Sequence, residues 1–80
     1  MKKEEVDLFV HKVGERIFEL RKAQNMTQLD LAIKSDMDES QVQRLETARS
    51  APTLKTLYKI LKGLGIEFRH FFDSDKLNHF

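Results

Sequence analysis

The 80-residue chain contains no cysteine. That excludes disulfides and thiolate metal sites, and it fits a reducing compartment without requiring one. The three histidines, His11, His70 and His79, show neither HxxxH nor HxxEH spacing, so no metal centre and no cofactor are expected. No apolar run approaches the roughly 20 residues that a membrane span needs. The opening "MKKEEVDLFVHK" starts basic, but its acids and short apolar stretch make a poor secretory signal. The expectation is a cytoplasmic domain without a membrane partner. A nucleophile–base pair, paired carboxylates and a phosphate-binding loop are missing too, so no enzyme is expected. Strand signals are equally scarce: β-branched residues are scattered and no period-2 alternation is sustained.

What the chain has is helical periodicity from end to end. Val6, Phe9/Val10, Val13, Ile17 and Leu20 recur at steps of three or four, predicting a first helix from about Glu4 or Leu8 to Ala23. Gly14 lies inside it at a cost of ~1 kcal/mol relative to alanine. "QNM" makes the first turn. Thr27 is an N-cap answered three residues later by Asp30, and Met26 with Leu31 has the spacing of a hydrophobic staple. This second helix reaches only to about Ser35. "DMD" breaks it, with Asp36 the residue best suited to a left-handed conformation. Asp38 then caps a third helix, with Gln41 three residues on, ending near Thr47. Pro52 excludes helix immediately before it. Thr53 caps a fourth helix, "LKTLYKILKGL", with Leu54, Leu57, Ile60/Leu61 and Leu64 facing inward and Gly65 as its stop. "IEFRHFF" supplies one or two further turns, and the tail "DSDKLNHF" is either loose or docked by Leu77 and Phe80. The expected fold is an all-α domain of five helices.

Charge is unevenly distributed. Residues 1–39 carry seven Lys/Arg against nine Asp/Glu, and residues 40–80 carry seven against four. The positive second half is compatible with a phosphate-facing surface, although a mixed solvated face gives similar counts.

Two stub helices separated by a tight turn form a helix-turn-helix arrangement. If Val42 and Leu45 hold the second stub inward, Glu39, Ser40, Gln43 and Arg44 point out, and a helix N-terminus with such side chains can read base edges in a major groove. Both stub N-termini also offer free N–H groups and a positive dipole end to phosphate.

The stretch "RIFELRKAQNMTQLDLAIKSDMDESQVQRLETARSAPTLKTLYKILKGLGIEFRHFF" resembles the lambda-repressor/Cro-type (XRE family) helix-turn-helix domain. The resemblance covers residues 13–72 and rests on "I..LR", "TQ..LA", "QV.RLE", "P.L.TL..I...L" and a closing "F", in order and at the right spacing. It implies residues 1–12 as an N-terminal extension of the first helix, 13–72 as the five-helix DNA-binding domain and 73–80 as a tail. It further implies base reading by Glu39, Ser40, Gln43 and Arg44, and phosphate binding by Thr27, Gln28, Gln41, Arg49, Ser50 and the backbone beside the last two. Gln28 would also brace the recognition helix. Arg21 and Glu46 would form a structural ion pair between the first and third helices. A dimer surface near the last helix would comprise Leu64, Ile66, Phe68, Phe71 and Phe72.

Four positions depart from the pattern. Asp36 and Ala48 stand where glycine is usual, Ser35 where the family is apolar, and Glu39 where basic or neutral residues are common. An acid at Glu39 either stabilises the helix N-terminus by ~0.3–1 kcal/mol or accepts from a cytosine amino group, and the two roles are compatible. Phe18 and Leu29 are apolar where the pattern is polar. Phe18 is either covered by the N-terminal extension or by Leu77 and Phe80, or it marks a partner surface. His70 is read as a solvated or packed residue, and Lys55, Lys59 and Lys62 as a solvated stripe. Among Phe68, Phe71 and Phe72, closing the core leaves one ring over for self-association.

The function expected is a sequence-specific DNA-binding transcriptional regulator, a repressor, reading a palindromic operator on double-stranded DNA as a homodimer. The alternatives are an antitoxin or restriction–modification controller of the same fold, with a toxin or polymerase as protein partner, and an interaction module that does not bind DNA.

Overall fold

The inward steps of three and four residues in the first quarter of the chain produce α1, Lys3–Ala23. It is followed by α2 (Gln28–Lys34), α3 (Glu39–Glu46), α4 (Leu54–Leu64) and α5 (Phe68–Phe72), with no strand among the described residues. The computed structural model describes residues 2–80; Met1, where the expected extension begins, lies outside the described residues. α3 packs on both α1 and α2, and α4 on α2 and α1. The core they enclose is built on Ile17, Leu31, Val42, Ile60 and Phe71, all fully buried.

Helix boundaries follow local chemistry. Thr27 Oγ1 accepts from the Asp30 N–H at 3.0 Å while Asp30 Oδ2 accepts from the Thr27 N–H at 2.9 Å, closing the expected capping box on α2. That backbone N–H donor is the main reason the Asp30 carboxyl lies below its ordinary value. At α3, Gln41 Oε1 accepts from the Asp38 N–H at 2.9 Å. Thr53 Oγ1 caps α4 through the Thr56 N–H at 3.1 Å, and Gly65 ends it in the left-handed region at φ 68°.

The turns are built on one left-handed residue each: Asn25 (φ 57°), Asp36 (φ 54°), Ala48 (φ 61°) and Gly65. Asp36 is where the sequence places it. Ala48 keeps the left-handed geometry without glycine, rather than reshaping the loop, at a cost of roughly 1–2 kcal/mol. Asn25 carried no separate expectation, although asparagine is among the residues that tolerate this region.

Two glycines allow backbones to meet. A Cβ on Gly14 would lie 2.5 Å from the Leu45 carbonyl oxygen and 2.9 Å from that of Glu46. The propensity cost of Gly14 therefore sets the last turn of α3 directly against α1. A Cβ on Gly63 would collide with Ser35 Oγ. Ser35 is buried with its hydroxyl lacking a hydrogen-bond partner, so the departure from the apolar pattern places a small side chain where α4 presses on α2.

Several inward-facing expectations are corrected. Leu54 is 84% exposed, because the buried stripe of α4 begins only at Leu57, beyond its first turn. Val6 is 44% exposed, since the first turns of α1 extend past the core. Phe18 stays 46% exposed, and Phe80, one of the residues expected to cover it, packs edge-on against Phe9 at 5.2 Å between centroids. Its ring instead lies 5.3 Å from the Arg21 guanidinium carbon.

The tail is docked. Leu77 is buried in the core, and Lys76 Nζ bridges Glu15 (3.0 Å) and Glu19 (2.8 Å) on α1. Arg16 donates to the carbonyl oxygens of Phe71 (2.7 Å) and His70 (2.8 Å), capping α5 from α1. Gln24 does the same for α4 through Leu64 O at 2.7 Å.

Candidate nucleic-acid interface

Val42 and Leu45 are buried, and this pins one side of α3 to α1 and α2. The opposite side carries Glu39, Ser40, Gln43 and Arg44, all exposed. The four expected base-reading residues therefore share one free helical face at the amino end of α3. Their donors and acceptors comprise one carboxylate, one hydroxyl, one amide and one guanidinium, a set able to distinguish base edges. The Arg44 side chain lies over a hollow also lined by Gln41, Ser50, Thr53 and Thr56.

Behind this face stands a buried polar junction. Arg21 Nε donates to Glu46 Oε2 at 2.6 Å and its Nη2 to Glu46 Oε1 at 3.0 Å, while Nη1 reaches the Met26 carbonyl at 2.8 Å. Both side chains of the pair are almost entirely buried. Gln28 Nε2 donates to the same Glu46 Oε1 at 3.1 Å. One carboxylate thus receives donors from α1 and α2 while sitting on α3, so the start of α2 and the end of α3 are held in register. The bracing expected of Gln28 is present in this bond, and its amide oxygen is not used by it. The Arg21 guanidinium also makes a cation–π contact with the ring of Phe18.

A shallow cleft joins the end of α1 to the starts of α2 and α3. Arg21, Lys22, Asn25, Thr27, Gln28 and Glu39 line it. Lys22 and Asn25 were absent from the sequence-derived candidates. The only signal for them was position, directly after "LR" and in the turn before Thr27. Thr27 and Gln28 flank the same cleft, so the structure brings these two expected phosphate ligands together with an exposed lysine.

Other candidates fare differently. Gln41 is half-buried and its oxygen is occupied by the Asp38 N–H, which leaves only its amide nitrogen. The backbone N–H groups of Arg49 and Ser50 both donate to Arg44 O, at 2.8 and 3.2 Å. They close the end of α3 and are not free for phosphate, so any contact there falls to the side chains. Leu64 and Phe71 are buried in the core of the single chain, which corrects their assignment to a dimer surface. Of that set Phe68 is 59% exposed, while Ile66 and Phe72 are half-buried. No cluster of acids or histidines able to hold a metal occurs among the described residues. No helix among them is long and apolar enough to cross a membrane.

Two short helices locked by a shared carboxylate, the second offering a free polar face at its amino end, define a helix-turn-helix protein. Residues 17–71 match the sequence model of the helix-turn-helix family, and the chain belongs to that family, in its lambda-repressor/Cro (XRE) type. It is similar to the wild-type restriction-modification controller protein C.Esp1396I, with a TM-score of 0.79 and 35% identity over 81% of this chain and 84% of that one. Against the controller protein C.AhdI from Aeromonas hydrophila the TM-score is 0.76, again at 35% identity, over 79% and 96%. The immunity repressor protein of Bacillus phage phi105 is 38% identical over 55 residues, 69% of this chain. The chain spans 38% of the length of that repressor.

Proposed function

We propose that this chain is a sequence-specific DNA-binding transcriptional regulator that reads a two-fold operator in the major groove as a homodimer. The carrying observation is the exposed row Glu39, Ser40, Gln43 and Arg44 at the amino end of α3, held from behind by buried Val42 and Leu45. A short recognition helix contacts only a few base pairs. Two copies about one DNA turn apart, roughly 34 Å, supply the remaining selectivity. In this reading Glu39, Ser40, Gln43 and Arg44 contact base edges. Thr27, Gln28, Arg49 and Ser50 hold phosphates through their side chains, with the amide nitrogen of Gln41 and the newly placed Lys22 beside them. Repression is the expected sense, supported by the likeness to a phage immunity repressor.

A narrower reading, a restriction-modification controller, is supported by the likeness to C.Esp1396I and C.AhdI along most of their chains. Selection from random duplex DNA tests both readings. Enrichment of a palindrome is expected, and absence of any enriched sequence would remove the regulator reading. Titration of the selected duplex across salt should show affinity falling as a power of salt concentration, with a slope of roughly −0.9 per phosphate neutralised. A flat response contradicts phosphate-driven docking.

A further inference from the structure

Four phenylalanines form a ladder that starts on α5 and ends on the tail. Phe68 lies 4.9 Å from Phe72, centroid to centroid; Phe72 stacks on Phe9 at 6.4 Å; Phe9 meets Phe80 at 5.2 Å. Beside the far end is a groove of about 530 Å³, lined by Glu5, Val6, Leu8, Phe9, His79 and Phe80. The apolar walls remain open to solvent: Val6 and Leu8 are each 44% exposed and Phe80 is 50%. All of these residues except Phe68 lie outside the 17–71 span matched by the family. The surface therefore belongs to this chain's own N-terminal helix turns and tail.

We infer that the occupant of this groove is a second copy of the chain, whose Phe68 inserts between Val6, Leu8 and Phe80, with the same contact repeated by the two-fold. This rests on the homodimer of the proposed function. Area argues against a dimer made by Phe68 alone. A stable interface buries roughly 800 Å² per partner. A large aromatic supplies about 150–250 Å², and α5 is only five residues long with Phe68 as its one largely exposed ring. The exposed Val6, Leu8 and Phe80, contiguous with Phe68 through the ladder, add apolar surface to it. Charge is complementary across a two-fold. Glu5 edges the groove within the acidic first turn of α1, and Arg69, next to Phe68, is free apart from a loose 3.9 Å contact to Glu67. An isologous pairing lets each copy's patch meet the other's, residue i to j and j to i.

Sedimentation of the full chain over a concentration series measures the dimer dissociation constant. Val6→Ser, Leu8→Ser and Phe80→Ser, each at a half-exposed position, should raise it at least tenfold while leaving helicity and Tm near wild type. Glu5→Arg and Arg69→Glu should each weaken the dimer, and the double exchange should restore it, which a groove built for a different protein would not produce. A wild-type dimer weakened by Phe68→Ser but untouched by the three groove variants would overturn the inference and leave the dimeric regulator standing. A chain that stays monomeric throughout would overturn the inference and the homodimer together, and binding to the selected half-site would still report separately on DNA reading.

Discussion

Arg44 and Gln28 illustrate how differently two exposed-looking polar residues act. Arg44 has an exposed side chain on the free face of α3, so Arg44→Ala should relax preference at one base position, by ~1–3 kcal/mol of discrimination. Gln28 is tied to Glu46 and to the α2 start, so Gln28→Ala should weaken all duplexes alike. Competition binding with single-base operator variants separates the two outcomes; equal losses for both substitutions would refute the division. The Arg21–Glu46 pair was implied by the family resemblance carried by "LR" and "RLE"; the residues themselves lie 25 apart on two helices, and nothing local joins them. Its burial makes the pair expensive to break: Arg21→Ala or Glu46→Ala should cost about 3–5 kcal/mol by leaving a buried charge unpaired. Urea unfolding reads this directly, and a loss under 1 kcal/mol would mean that water reaches the site. Ser35 gives the opposite sign. Its hydroxyl is buried without a partner, so Ser35→Ala should raise stability by about 1 kcal/mol. The serine itself stood out in the sequence as a departure, but its reason, the close approach of Gly63, is a relation between α2 and α4 that no local pattern contains.

At the scale of elements, helix propensity and helix packing disagree at Gly14. Propensity alone predicts that Gly14→Ala stabilises the protein by ~1 kcal/mol. The geometry predicts the reverse, because the new Cβ would press on two backbone carbonyl oxygens of α3, which cannot rotate away. Overpacking of this kind costs typically about 1–3 kcal/mol, so a lowered Tm is expected and a raised one would show that α3 can shift outward at little cost. Helix boundaries were legible because caps are local. Thr27 with Asp30, Thr53 and Gly65 act within four residues of themselves. The ends of α4 and α5 are partly closed by Gln24 and Arg16, donors 40 and 54–55 residues away in sequence, and nothing near those ends announces them.

For the whole molecule, the docked tail has an electrostatic signature. A hydrogen bond from Lys76 is the main reason the Glu15 carboxyl lies below its ordinary value, and hydrogen bonds to Glu19 and then Glu15 raise the Lys76 ammonium above its own. A lowered carboxyl contributes stability that is complete above the ordinary glutamate range and fades as pH falls through the depressed folded value. A raised ammonium contributes fully below the ordinary lysine range and loses that contribution as pH climbs through the elevated folded value. Lys76→Met should therefore lower Tm at pH 7, and the gap to wild type should close as pH drops below about 4.3, the ordinary glutamate value. A gap that does not narrow as the pH is lowered further would assign the lysine's role to packing. The same docking places Phe80 on Phe9 and shapes the groove, so tail and extension act as one surface.

The sequence by itself determined the five helices, the caps Thr27, Thr53 and Gly65, the left-handed Asp36 and the row that α3 presents. Each of these depends on periodicity or on partners at fixed offsets, and such relations are written along the chain. The Arg21–Glu46 pair joins two helices and was expected only through the family resemblance. Only the tertiary structure decided which apolar residues are spent on the core and which are left over. Leu64 and Phe71 went inside while Val6, Leu54 and Phe68 stayed out. Burial depends on what packs above a residue, and that is set by helices meeting across long sequence separations rather than by the residue's own neighbours.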